Sequence, residues 1–176
     1  MRTSRWKPQQ FRLPYFNYAS SAQYFVTITT KPRYPVFGSV IDGEVSLSEL
    51  GQIVAKCLQE LPQKYSFVSL DEWVVMPDHL HCILCLDNPN EERTIPQPVF
   101  GIRSNSLSFV IRNFKASVTL LARRARITHA VWHPRFHDHI IRNEGELQRI
   151  RTYIRNNPKQ WEADHRVSPS KKNRSS

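Results

Sequence analysis

The sequence predicts a single α+β domain built on an antiparallel sheet, and three observations carry that expectation. Short runs rich in β-branched and aromatic residues are interspersed with stretches whose apolar residues recur every three to four positions. Two of the runs, Phe67 to Met76 and Leu80 to Leu86, are joined only by Pro77-Asp78 and His79, which makes them a hairpin. With 176 residues, 40% of them apolar, the chain can bury one core.

The elements follow in order. Residues 1–14, with Arg2, Arg5, Trp6, Lys7 and Arg12, have no period and read as a basic N-terminal arm within reach of phosphate. Gln23 to Thr30 (Gln-Tyr-Phe-Val-Thr-Ile-Thr-Thr) is a first strand. Val36 to Leu47 forms a small hairpin insert, because Asp42-Gly43 supplies the positive φ angles of a tight turn. Ser46 or Ser48 caps a helix whose buried stripe is Leu50, Ile53, Val54, Cys57, Leu58 and Leu61, ended by Pro62.

After the central hairpin, residues 87–106 make a polar connection unusually long for a compact domain, either a disordered insertion or a lid. A helix resumes with Leu107, Val110, Ile111, Phe114, Val118 and Leu121 on one face, accompanied by Arg112, Lys115, Arg123 and Arg124. Arg135 to Ile141 is the last strand. Asn143 then caps a helix with Leu147, Ile150 and Ile154 as its stripe. Tyr153 lies about 60° from Ile150 at 100° per residue, with Asn157 one turn beyond it. Pro158 disfavours helix at Asn157, so the amide is expected at a helix end. Residues 15–162 make the domain, and 163–176 are a disordered basic tail.

Charge narrows the partner. The formal net charge is +10, and it is uneven: residues 1–100 hold 9 Lys and Arg against 10 Asp and Glu, residues 101–176 hold 16 against 5. Clustered cations gain free energy by displacing counterions from a phosphate backbone, so nucleic acid is the first partner and a membrane surface the second. Three cysteines cannot all pair within one chain, and no apolar run approaches the length of a signal-peptide core or a membrane span. A reduced cytoplasmic protein with no membrane partner is expected. Cys82-x-x-Cys85 has a zinc-like spacing, but on a strand its thiols face opposite ways, which makes them core residues.

On the strand starting near Leu80, His79, His81, Ile83 and Cys85 share one face, so two imidazoles stand side by side. A bare His-x-His is commonly just a strand-end feature, and a second pair, His137-Asp138-His139, competes with it. The acidic middle residue of that second pair would not bury cleanly, which suits an accessory or structural role. Tyr153, taken alone on an amphipathic helix, is equally a half-buried packing residue.

Taken together, Trp73-Val74-Val75-Met76-Pro77-Asp78-His79-Leu80-His81, the Asn113-Phe114-Lys115 stretch beside Ser117, His139-Ile140-Ile141-Arg142-Asn143-Glu144 and Tyr153-Ile154-Arg155-Asn156-Asn157-Pro158 resemble the REP-associated tyrosine transposases. These belong to the HUH single-tyrosine class related to insertion-sequence 200/605 transposases. The resemblance runs from about Gln23 to Trp161, excluding the 87–106 connection. It implies a ferredoxin-like α+β fold, an antiparallel sheet with helices packed on one face and an extra hairpin insert, and a helix presenting a tyrosine over the histidine strand.

By the same resemblance His79 and His81 are metal ligands, Asn157 is the polar third ligand or alternatively a helix-end cap, and Tyr153 is the nucleophile. The cofactor is then Mg²⁺ or Mn²⁺, and the reaction is single-stranded DNA cleavage and strand transfer through a 5′-phosphotyrosine at hairpin-forming palindromic repeats. Arg112, Lys115, Arg123 and Arg124 are the expected phosphate contacts, and Arg149, one turn before Tyr153, is a cation that could favour phenolate. The expected partner is single-stranded or hairpin DNA, bound by a monomer or homodimer. Two other readings keep the same residues: a hairpin-binding protein without catalysis, and a metal phosphodiesterase that uses water.

Overall fold

Four strands pair into a main sheet whose two faces are covered by different helices, where helices on one face only were expected, because the last helix carries an apolar stripe of its own. The structure, a computed structural model, describes residues 18, 20–31, 34–88, 105–127 and 131–165. The expected basic arm, most of the 87–106 connection and most of the tail lie outside the described residues. In chain order the elements are β1 (Ala22–Thr29), β2 (Gly38–Ile41), β3 (Glu44–Leu47), α1 (Glu49–Gln59), α2 (Leu61–Lys64), β4 (Val68–Val75), β5 (His79–Leu86), α3 (Leu107–Arg124), β6 (His137–Ile141) and α4 (Glu144–His165). No helix among the described residues is long and apolar enough to cross a membrane.

The main sheet runs β4-β5-β1-β6 with every neighbour antiparallel. With the β2–β3 hairpin set aside, β1-α1-β4-β5-α3-β6 in that order is the expected ferredoxin-like arrangement. The hairpin turn forms as its sequence predicts: Asp42 and Gly43 take φ of 53° and 76°, the pair of left-handed residues that a two-residue turn matching strand twist requires. Ser48 caps α1 by accepting the backbone N–H of Gly51 at 3.1 Å.

Alternation along the strands sorts the core. Val26, Ile28, Leu80, Cys82 and Leu84 face α1 and α3, whose Val54, Leu58, Val110, Phe114 and Val118 complete the larger cluster. Leu58 and Phe114 are fully buried, and truncating such a leucine to alanine costs about 2–5 kcal/mol. The opposite face carries Phe25, Ile83 and Ile141, against which α4 packs Leu147, Ile150 and Ile154. Helices thus occupy both faces: α1 and α3 take one together, and α4 takes the other because its three-residue stripe matches that patch. The three cysteines are free, and burial pushes the Cys82 thiol pKa far up, as befits an inert core residue.

At α4 the structure departs from expectation. The helix does not end at Asn157 but continues through Pro158 to His165, three residues into the stretch read as tail. A proline inside a helix costs roughly 3 kcal/mol through a lost hydrogen bond and a clash with the preceding turn. Contacts made by the following turns offset this: the Trp161 ring lies 5.7 Å from that of His79, Glu162 Oε1 accepts the Asp42 backbone N–H at 3.2 Å, and Lys159 lies against Gly43. Asn157 is consequently buried in mid-helix, 7% exposed.

Candidate active site

The histidine pair begins β5, and its neighbours come from strand register. Thr29 faces His79 and Thr27 faces His81 across β1. The Thr27 hydroxyl lies 2.8 Å from Nδ1 of His81, while Nδ1 of His79 is bonded to the carboxylate of Asp78. Both imidazoles are buried and their ring centres are 4.6 Å apart, nearly edge to face. Anchoring at Nδ1 fixes each ring, so a cation would be held through Nε2 of both.

Over this pair lies α4. The Tyr153 ring is 5.4 Å from His81 and 6.0 Å from Phe25, and Trp161 sits over His79. Positions 153, 157 and 161 are successive turns of one helix face, so buried Asn157 lies between a residue touching one histidine and a residue touching the other. His165 extends the stack, 3.9 Å from the Trp161 ring, with Nδ1 donating to the Trp161 carbonyl at 2.8 Å. Tyrosine and both histidines therefore meet within one chain.

Two sets of polar contacts hold α4 in place. At its start Asn143 Oδ1 accepts the Glu146 N–H at 2.9 Å, Glu146 accepts the Arg142 N–H at 2.9 Å, and the other Glu146 oxygen lies 2.8 Å from Nε2 of His139. Burial pushes the Glu146 carboxyl pKa up, but the Arg142 N–H and His139 outweigh it and leave the group below the usual glutamate range. Further along, Arg151 binds Asp71 through Nε and Nη2 at 2.6–3.1 Å, and Arg155 binds Glu72 at 2.6 Å. The β4–β5 register shifts between Leu70 and Trp73. This irregularity lets consecutive carboxylates reach arginines one turn apart, which an unbroken pleat would prevent.

The expected phosphate contacts separate. Lys115 donates to the carbonyls of His133, Pro134 and Arg135 at 2.9, 3.3 and 3.1 Å, and burial pushes its amine pKa down to about 8. It staples α3 to the segment before β6 rather than facing solvent. Arg112 and Arg123 are exposed and about 20° apart around α3 at 100° per residue, on the flank beside that segment; Arg124 is about 100° further round. All four lie on the helix that covers the sheet face opposite α4. Arg149 is exposed, its guanidinium lying near Gly145, back toward the start of α4.

Sequence reasoning missed Thr27, Asp78, Trp161 and Glu146. Asp78 carries a legible signal, a carboxylate adjoining His79, that its place in a Pro-Asp turn masks. Trp161 continues the Tyr153–Asn157 spacing by one more turn, which the expected helix end concealed. Thr27 and Glu146 depend on pairing between distant segments and leave no local signature.

No protein-family model matches the chain. An uncharacterized protein of Haemophilus influenzae is 35% identical over 164 residues, covering 89% of this chain and 91% of that one. The solved structure of a REP-associated tyrosine transposase bound to a REP hairpin is similar with a TM-score of 0.59 and 21% identity, over 87% of this chain and 74% of that chain. With that identity spread over nearly the whole of both sequences, this chain belongs to the same family as the Haemophilus influenzae protein, and its fold is that of the REP-associated tyrosine transposase.

Proposed function

We propose that this protein cleaves and rejoins single-stranded DNA at hairpin-forming palindromic repeats, using Tyr153 as nucleophile and forming a 5′-phosphotyrosine. The observation that carries the reading is the placement of Tyr153 5.4 Å from His81, with His79 4.6 Å further on and Asn157 buried between Tyr153 and Trp161. The solved transposase of like fold is bound to a REP hairpin, which supports DNA of that form as the partner.

The donor set suits a hard divalent ion. Among the described residues no three His, Cys, Asp or Glu side chains cluster to hold a metal, so a closed zinc-type site is not built from these groups. Two imidazoles anchored at Nδ1 and one amide oxygen instead leave room for water and phosphate, as Mg²⁺ or Mn²⁺ requires. His79, His81 and Asn157 would hold the ion, which would neutralise charge on the non-bridging oxygens of the scissile phosphate.

The remaining work belongs to the chain. Packing against Phe25 and His81 limits the motion of the Tyr153 ring, which favours in-line attack. The phenol oxygen bonds to phosphorus and gives up its proton, the bond from phosphorus to the 3′ oxygen breaks, and that oxygen leaves as a hydroxyl after taking a proton. A 3′-hydroxyl attacking the phosphotyrosine reverses the step, so the outcome is strand transfer without net hydrolysis. A phenol pKa near 10 makes Tyr153 a weak nucleophile on its own, and loss of its proton is the step the site must favour.

Labelled hairpin DNA with a single-stranded flank, incubated with protein and Mn²⁺, is expected to give a complex that survives denaturation, and Tyr153→Phe is expected to give neither complex nor cut DNA. Cleavage without a covalent complex identifies a water-using phosphodiesterase. A mobility shift with intact DNA identifies a binder.

A further inference from the structure

We propose that single-stranded DNA reaches the Tyr153 site by passing around the β6 edge of the sheet, over Arg123, His133, Arg135 and His137. This rests on the strand-transfer reading above and names the route by which that site takes its substrate. The cations of α3 and the tyrosine lie on opposite faces of the sheet, so a strand of DNA that touches both must pass around it, and an edge strand is a direct route. Among the described residues the two edges are β4 and β6. At the β4 edge the cations Arg151 and Arg155 are already engaged by Asp71 and Glu72, so that edge offers phosphate no net positive charge from these four groups. The approach to β6 carries the exposed cations Arg123 and Arg135, and four observations support a continuous path there.

First, α3 is fastened against the approach to β6, with Lys115 on three carbonyls of residues 133–135 and Trp132 Nε1 donating to the Lys115 carbonyl at 3.2 Å. Second, an open groove of about 370 Å³ runs along this seam, lined by Arg123, Leu120, Trp132 and His133. Cation, exposed apolar carbon and aromatic edge together suit a sugar-phosphate strand with unstacked bases. Third, Nδ1 of His133 accepts the Arg135 N–H at 3.2 Å, which leaves Nε2 as the ring's donor toward phosphate. Fourth, His137 is exposed on the α4 face and lies in register with Thr27, which is in register with His81. His137 and His81 are therefore two strands apart, about 10 Å. The second His-x-His pair thus has a use: His139 holds α4, and His137 stands where the strand turns onto the catalytic face.

The test is binding without metal, using hairpin oligonucleotides that carry single-stranded extensions of increasing length, read by fluorescence anisotropy across a salt series. Wild-type affinity is expected to rise with extension length and then level off. His133→Gln and His137→Gln are each expected to weaken the extended hairpin roughly three- to tenfold and leave the blunt hairpin unchanged; Arg123→Gln is expected to weaken the extended hairpin by as much and to reduce its salt slope by about 1. Lys64→Gln, at an exposed cation on α2, serves as the control and should change neither. The route is overturned if extension adds no affinity in the wild type, or if the three variants bind extended hairpin as the wild type does. Thermal melts of each variant check that it is folded. Absence of a covalent complex in a parallel reaction with Mn²⁺ would refute the catalytic reading instead, and it leaves the binding result to stand by itself.

Discussion

Two His-x-His pairs lie on the same face of one sheet, separated by β1, yet they meet different surroundings. His79 and His81 are buried, with Leu80 between them pointing into the main core, and both rings lie under α4. His137 is exposed, Asp138 takes the core side, and His139 is bonded to the first turn of α4. Identical spacing yields a candidate metal site in one place and a helix anchor in the other. The difference lies in what is set across from each pair: a threonine, an aspartate and a tyrosine-bearing helix in the first case, a capping glutamate in the second.

The comparison can be broken most sharply by substitution at the pairs themselves. His79→Ala or His81→Ala is expected to lower metal-stimulated cleavage at least 100-fold while hairpin binding in chelator stays within about twofold. His139→Ala should act through placement of Tyr153, lowering the cleavage rate about tenfold with metal affinity unchanged, and His139→Gln should restore part of it. Equal loss of binding and cleavage in the β5 variants would make those histidines structural and erase the distinction.

Next in size are the groups that orient the rings. Thr27→Val and Asp78→Asn are each expected to weaken Mn²⁺ affinity about 10- to 100-fold, the range for residues supporting a ligand. Isothermal titration with Mn²⁺ checks this, and unchanged affinity would leave the two hydrogen bonds without that role.

Smaller effects fall on stability. Glu146 has a folded pKa below its unfolded value, so its contribution is full above the ordinary glutamate pKa of about 4.3 and is lost as pH falls through the lowered folded value. Glu146→Gln should therefore flatten the acid limb of a melting-temperature profile, and an unaltered limb counts against the assignment. Arg151→Gln removes a partly exposed bidentate pair and is expected to lower the urea unfolding midpoint slightly, and less so at high salt.

Much of this was legible in the sequence, for physical reasons that can be named. Apolar periods located α1, α3, α4 and the strands of the main sheet, because burial of one face is what those periods encode; α2 was not legible, since Pro62 reads as the stop of α1 but sits in the first turn of a new short helix. The His79–His81 strand and the tyrosine helix were legible on the same grounds. Asn157 lies in mid-helix and not at the helix end its sequence implies, because a proline predicts a break locally and the contacts that carry α4 past Pro158 come from β5 and the β2–β3 hairpin. Lys115 read as a surface cation, since nothing near it in sequence shows the three carbonyls that take its protons. Thr27 was invisible for the same reason as the Asp71–Arg151 pair: both are consequences of register and packing between segments more than 50 residues apart.

The central claim is that Tyr153, held over the first histidine pair, takes the 5′ phosphate of a cut strand. Mass spectrometry of the protein digested after reaction with hairpin DNA and Mn²⁺ tests it most directly. The account predicts a nucleotide phosphate on the peptide containing Tyr153 and on no other, and cut DNA with that peptide unmodified, or the adduct on a different residue, would contradict it.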